Sequence, residues 1–126
     1  MVLILTDLAV TERTFQQEVL ESSQLVLVSF VAPWCGLCHL ISPIVRSCHA
    51  QWGENVRLVE INADENLRLA NTYRLKSLPT LLLFAGGQVV QRIDHFQDRA
   101  NFRKSLESIL RSQGSRHLRL LESSEC

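Results

Sequence analysis

The chain has 126 residues, enough for one domain with a full apolar core and too few for two. Apolar residues make up 46% and charged residues 21%, the profile of a folded globular chain rather than a disordered one. Thirteen basic residues balance thirteen acidic ones, so no charge bias favours nucleic acid or an anionic membrane, and no apolar run reaches the roughly 20 residues of a bilayer span.

In chain order, Val2–Leu5 reads as a short strand. The apolar opening lacks a basic flank and is stopped by Thr6-Asp7, too early for a secretory signal, so a cytoplasmic protein is expected. Thr11 is placed to cap a helix running to Ser22, with Glu12 in its first turn and Phe15, Val19 and Leu20 on one face. Leu25–Val31 is apolar on both faces, as strands covered by helices are. A helix is expected over Cys35–Trp52, kinked at Pro43 and ended by Gly53-Glu54-Asn55. Val56–Ala63 is the next strand, Glu65–Tyr73 a short helix and Lys76–Leu78 a loop. Thr80–Phe84 and Gln88–Asp94 are strands joined by the tight-turn pair Gly86-Gly87. Asp98 caps a last helix carrying Phe102, Leu106, Ile109 and Leu110 on one face, with Gly114 as its expected stop. One domain is expected over residues 1–112, and residues 113–126 form a tail that reads either as frayed chain or as a short extra helix.

The order β-α-β-α-β-α-β-β-α predicts parallel pairing at each strand–helix–strand step and an antiparallel final hairpin. The expected class is α/β, with a mixed sheet of about five strands flanked by four helices on both faces.

Trp34-Cys35-Gly36-Leu37-Cys38-His39 stands where the apolar strand gives way to the long helix. Two cysteines at this spacing can close a small disulfide ring. At a helix start, the dipole and the free backbone N–H groups stabilise a thiolate. A thiolate attacks another disulfide, and a second cysteine can then resolve the mixed disulfide, so the pattern points to dithiol–disulfide exchange. In a reducing compartment the four cysteines are expected to be catalytic or incidental rather than a framework. Cys48 follows Cys38 by ten residues, roughly 15 Å along a helix. A disulfide requires Cα atoms within about 7 Å, so Cys48 cannot pair with Cys38. Nor can Cys35, Cys38, Cys48 and His49 share one zinc ion. Cys48 reads as a small buried hydrophobe. Cys126 is terminal, and is either incidental or a thiol available for an intermolecular bond.

These residues resemble the thioredoxin family. Ala32, Trp34-Cys35-Gly36-x-Cys38, Pro43, Asp64, Pro79-Thr80 and Gly87 carry the resemblance, which covers roughly Leu5 to Leu110. It implies a thioredoxin fold, with Cys35 as the exposed nucleophile and Cys38 as the more buried resolving cysteine. It also implies a cis peptide bond before Pro79, turning the Leu78 backbone toward the sulfurs where a substrate strand could pair with it. Trp34, Gly36, Leu37, Leu78 and Pro79 would form the docking surface. Partners would be disulfide-containing proteins and a recycling enzyme of the thioredoxin reductase type. No cofactor beyond the cysteine pair is implied, and a monomer is expected.

The departures from the family pattern are specific. Leu37 replaces the proline between the cysteines, which bears on the reduction potential, and His39 replaces a common lysine. Ser29 stands where the family usually keeps a buried aspartate that shuttles the proton of the resolving cysteine, and Glu60 stands where a lysine often partners that aspartate. A hydroxyl is no base near neutral pH. A carboxyl buried without a cation holds its proton more tightly than usual, and proton transfer to and from Cys38 needs such a group near neutrality. Glu60 therefore either takes over the aspartate's work from the neighbouring strand or points at solvent from a strand face. His39, one helical turn past Cys35, either tunes the thiolate or is a solvated helix residue. His95 falls near a glycine that lines the family's substrate groove, and reads as a groove residue or a plain surface histidine. Two rival functions follow. One is a non-catalytic docking module with dispensable cysteines. The other is a more oxidising, oxidase- or isomerase-like variant.

Overall fold

Strand β1 (Leu25–Val31) has six of its seven residues buried, because it lies inside a sheet covered on both faces. A computed structural model describes residues 10–52 and 55–124, with side chains to residue 113. Beside β1 lie β2 (Val56–Asn62) and β3 (Thr80–Ala85), with β4 (Gln88–Ile93) outside β3, in the order β2-β1-β3-β4. The strand expected over Val2–Leu5 lies outside the described residues, as do Gly53, Glu54 and Cys126. Just after that stretch, the N–H of Val10 donates to the carbonyl of Glu60 on β2 at 3.2 Å.

Side chains alternate across a strand, and β1 divides accordingly. Leu25 and Leu27 pack with Leu58, Leu81 and Leu83 under α2 (Gly36–Ala50) and α4 (Arg99–Ser124), which contribute Ile41, Val45, Phe102, Leu106 and Leu110. Val26, Val28 and Phe30 face the other way, joining Val59, Ile61, Leu82 and Phe84 beneath Phe15 and Val19. That second layer holds α1, a π-helical turn over Gln16–Leu20, and α3 (Leu67–Thr72). Phe15, Tyr73 and Phe84 meet there with ring centroids 5.5–5.8 Å apart, within the favourable range for tilted and edge contacts.

Three elements differ from expectation. The first helix shrinks to α1, because tertiary bonds claim the residues before it. The N–H of Glu12 donates to Asn66 Oδ1 at 2.9 Å, and Thr11 closes a local turn through its Oγ1 to the N–H of Arg13 at 3.2 Å. Glu12 serves a helix dipole, but that of α3, accepting the N–H of Arg68 at 2.8 Å. Secondly, β3 runs antiparallel to β1, while β1 and β2 are parallel. Thr80 enters beside Phe30, at the same end of the sheet where β2 finishes with Asn62 beside Val31, so β3 runs back along β1. Thirdly, α4 continues past Gly114 to Ser124. A glycine costs a helix about 1 kcal/mol relative to alanine, which weakens it without ending it. The Asp98 cap forms as expected, its Oδ1 accepting the N–H of Asn101 at 2.8 Å.

The β3–β4 hairpin turns at Gly86 and Gly87, both at positive φ (58° and 82°), as a tight hairpin turn requires. At Gly87 a Cβ would also stand 2.8 Å from the carbonyl oxygen of Leu20.

Candidate active site

The β1 strand ends at Val31, and α2 begins within five residues. Between them the N–H of Cys35 donates to the Ala32 carbonyl at 3.1 Å, forming a turn that brings Cys35 to the N-cap of α2. Cys35 is extended there (φ −85°, ψ 105°), and its Sγ accepts the N–H of Cys38 at 3.1 Å. The sulfur thus takes the place of a capping oxygen, against the positive end of a 15-residue helix. Cys35 and Cys38 are joined as a disulfide with Cα atoms 5.3 Å apart. In the reduced state the same donors and dipole favour a thiolate on Cys35.

Cys35 was expected to be exposed, but it retains only 5% exposure, close to the 3% of Cys38. Ala32 packs with both cysteines, and Val31 and Leu78 cover the cluster. The peptide bond from Leu78 to Pro79 is cis, as the resemblance implied. What the solvent meets is a collar of neighbours: Trp34 is 69% exposed, Leu40 53% and Leu37 40%. Trp34 is therefore no core residue. Its indole N–H donates to Asp64 Oδ2 at 2.6 Å, and the N–H of Asp64 in turn donates to Asn62 Oδ1 at 2.9 Å. Gly36 is exposed at the first helical position.

Behind the pair lies a cleft of about 340 Å³, lined by Cys38, Ala32, His39, Arg46 and Glu60 among others. Ser29 and Glu60 are register partners on adjacent strands, as their interruptions of two apolar runs suggested. Ser29 is buried, whereas the Glu60 side chain is 34% exposed. Glu60 does not stand in isolation: Arg46 Nη2 lies 3.9 Å from its carboxylate. The condition of a buried carboxyl without a cation is therefore not met, although Glu60 does share the cleft with Cys38. Sequence reasoning missed Arg46. Only the packing of α2 against β2 brings it to Glu60.

The remaining candidates separate. His39 stays at the site, but its ring Nε2 donates to the Pro33 carbonyl at 2.9 Å; a carbonyl accepts only, so that nitrogen carries the proton. His95 stands in solvent on the β4–α4 connection, its side chain 98% exposed and 3.6 Å from Asp94. Cys48 is buried in α2, and burial pushes its thiol above the usual range, with Arg103 drawing it down and Glu107 pushing it up. Among the described residues, no three His, Cys, Asp or Glu side chains group as metal ligands would, and no helix is long and apolar enough to cross a membrane.

Comparison with known proteins agrees with this geometry. The thioredoxin family model matches residues 7–108. Thioredoxin 1 of Synechococcus elongatus is 48% identical over 85 residues, 68% of this chain and 79% of that protein. Thioredoxin 1 of a Nostoc species is 41% identical over 101 residues, covering 80% and 94% of the two chains. The chloroplastic M-type thioredoxin of Chlamydomonas reinhardtii is 37% identical over 102 residues, covering 81% and 73%. With a disulfide-forming cysteine pair at the start of α2 and a family match over most of its length, the chain belongs to the thioredoxin family of protein dithiol–disulfide oxidoreductases.

Proposed function

We propose that Cys35 attacks disulfides in partner proteins and Cys38 resolves the product. The observation that carries this assignment is the position of Cys35 Sγ at the N-cap of α2, accepting the N–H of Cys38. The Cys35 thiolate attacks one sulfur of the target disulfide, forming a mixed disulfide and releasing the target's other sulfur as a thiolate. Cys38 then loses its proton and attacks Cys35 Sγ. The Cys35–Cys38 disulfide forms and the second target sulfur leaves as a thiolate. Two electrons pass from the pair to the target, and a reductase of the thioredoxin reductase type returns them. The electrons reside in the two sulfurs, so the exchange calls for no further cofactor.

The exposed collar supports Trp34, Gly36 and Leu37 as the surface on which a target lies, with Leu78, packed against the cysteine cluster, and Pro79 next to it. His95, exposed on the β4–α4 connection beside Phe96, is kept as a candidate groove residue on the resemblance alone. The shared cleft supports Glu60 as the acceptor of the Cys38 proton, by way of water and with Arg46 flanking it. A reducing compartment such as the cytoplasm fits a couple that must be reset after each turnover.

Capturing the intermediate tests the roles. Incubated with a disulfide-linked polypeptide, Cys38→Ser should accumulate a covalent adduct at Cys35, read by mass spectrometry and released by dithiothreitol. Cys35→Ser should capture none. Adduct formation at Cys38 in the Cys35→Ser protein, at the rate seen for Cys35, would reverse the assignment.

A further inference from the structure

The β4–α4 connection folds back over the first turns of α2 and encloses a second groove, of about 260 Å³, on the side of the pair away from the Glu60 cleft. Leu37, Leu40, Ile41, Phe96 and Phe102 line it, together with Gln97, Asp98 and Arg99 at the start of α4. Ile41 and Phe102, at 2% and 3% exposure, are its floor and belong to the core. Phe96 stacks at an angle on Phe102, centroids 5.1 Å apart, and forms a wall. Leu37 and Leu40 form the lip, and both keep about half of their surface in water, at 40% and 53% exposure. Three of the six exposed large apolar side chains of the described residues, Trp34, Leu37 and Leu40, fall within seven positions around the cysteines. Clustered apolar exposure of this kind marks a surface that another molecule covers.

The groove's size limits what that molecule presents. Small-molecule sites run to about 300–1,000 Å³, and this groove lies below that range while being open along one side. A volume of this order suits a side chain rather than a whole ligand. Its position is equally restrictive, because Leu37 both lines the groove and stands between the two cysteines. Leu37 is next to Cys38 and two positions from Cys35, so the lip lies within reach of a polypeptide whose disulfide has come to the pair.

Resting on the exchange reading, we propose that the Leu40–Phe96 groove receives one large apolar side chain, of the leucine, methionine or phenylalanine kind, carried on the target segment that flanks the cysteine under attack. Leu40 is then a specificity-determining residue of the reaction. It chooses among targets by what stands beside their disulfides and leaves the sulfur chemistry to the pair.

The test uses a set of short peptide disulfides, identical except that leucine replaces serine at one of the three positions on either side of the cysteine. The protein, kept reduced by dithiothreitol, acts on each, and kcat/KM is compared as a ratio of leucine to serine peptide. At one position the ratio should reach about five to ten, the effect of partly burying a leucine side chain. In Leu40→Ser it should fall toward one, and Leu40→Ala, which keeps the helix propensity, should lie between. A ratio near one at every position in the unmodified protein would overturn the proposal, as would a ratio that persists undiminished in Leu40→Ser. A self-associated protein that dissociates in Leu40→Ser without any peptide preference would assign the groove to a second copy and overturn it too. Failure to reduce any peptide at all would instead bring down the exchange reading, and this proposal with it.

Discussion

The two cysteines of one disulfide have different surroundings. On the outward side, Trp34, Leu37 and Leu40 hold apolar surface in water around a sulfur pair that is itself almost covered. On the inward side, Cys38 borders a cleft with His39, Arg46 and Glu60. The same helix start supplies both, because α2 turns its first residues toward solvent and, from Cys38 onward, lays one face against the sheet. The contrast separates the two halves of the exchange. On the proposed reading, the outer side loses water to a partner, where apolar area contributes about 25 cal/mol per Å². On the same reading, the cleft with its charged residues is where the Cys38 proton comes and goes.

Changes on either side should therefore have different signatures. The largest effect is at the sulfur itself: Cys35→Ser should lose all measurable disulfide reduction. Next, if Glu60 accepts the Cys38 proton, Glu60→Gln should slow resolution of a preformed mixed disulfide about tenfold at pH 7, below the 10²–10⁴ of a directly positioned base because water intervenes. Its rate should then rise tenfold per pH unit as hydroxide takes over, while the unmodified protein stays flatter. Faster resolution in Glu60→Gln would mean that the carboxylate acts only as a like charge disfavouring the Cys38 thiolate, and would end its role as acceptor. The imidazole would be the acceptor if His39→Gln gave the steep profile and Glu60→Gln did not.

A change remote from both sides sharpens the contrast. Gly87→Ala should cost about 1–3 kcal/mol of stability, from its positive φ and its approach to the Leu20 carbonyl. Chemical denaturation would read that loss, with the exchange rate per folded molecule unmoved. The smallest effect concerns Cys48. Burial raises its folded-state pKa, so the fold holds the neutral thiol. That contribution is complete below the unfolded value of about 8.5 and is lost as pH rises through the folded value. Unfolding free energy of the oxidised protein should fall more steeply above pH 9 than in Cys48→Ala. Burial also raises Tyr73, which adds a later decline common to both proteins.

The four strands of the described residues and the redox pair were legible because short-range signals carry them. Leu25–Val31 is apolar on both faces, Gly86-Gly87 marks a hairpin, and two cysteines at a helix start have a local chemical meaning. What escaped depends on long-range contacts. Asn66 claims the N–H of Glu12 across 54 positions, and no pattern within residues 11–22 announces it. The antiparallel entry of β3 is set by where the chain re-enters the sheet, beside the end of β2, and the apolar run of β3 reads the same in either direction. Arg46 reaches Glu60 only because α2 packs over β2. The groove joins Leu40 to Phe96, far apart in the chain but on the same face of the sheet; the one local hint was a pair of leucines, Leu37 and Leu40, three positions apart on a helix start. Exposure of Cys35 was overestimated for a similar reason: its cover comes from Ala32 and from Leu78, which arrives with the cis-proline loop.

The central claim is that Cys35 and Cys38 form a working two-electron couple, and a redox titration tests it most directly. The protein would be equilibrated in graded dithiothreitol or glutathione buffers and its thiols trapped and counted, with Cys35→Ser as the control. The account predicts one reversible two-electron transition, absent from the control, in the range of about −270 to −200 mV spanned by thioredoxin and the glutaredoxins. The reducing end of that range would mark a general reductase, the other end a weaker reductant with narrower targets. No reversible transition would contradict the account, because the surface around Trp34 and Leu40 would then bind partners without chemistry.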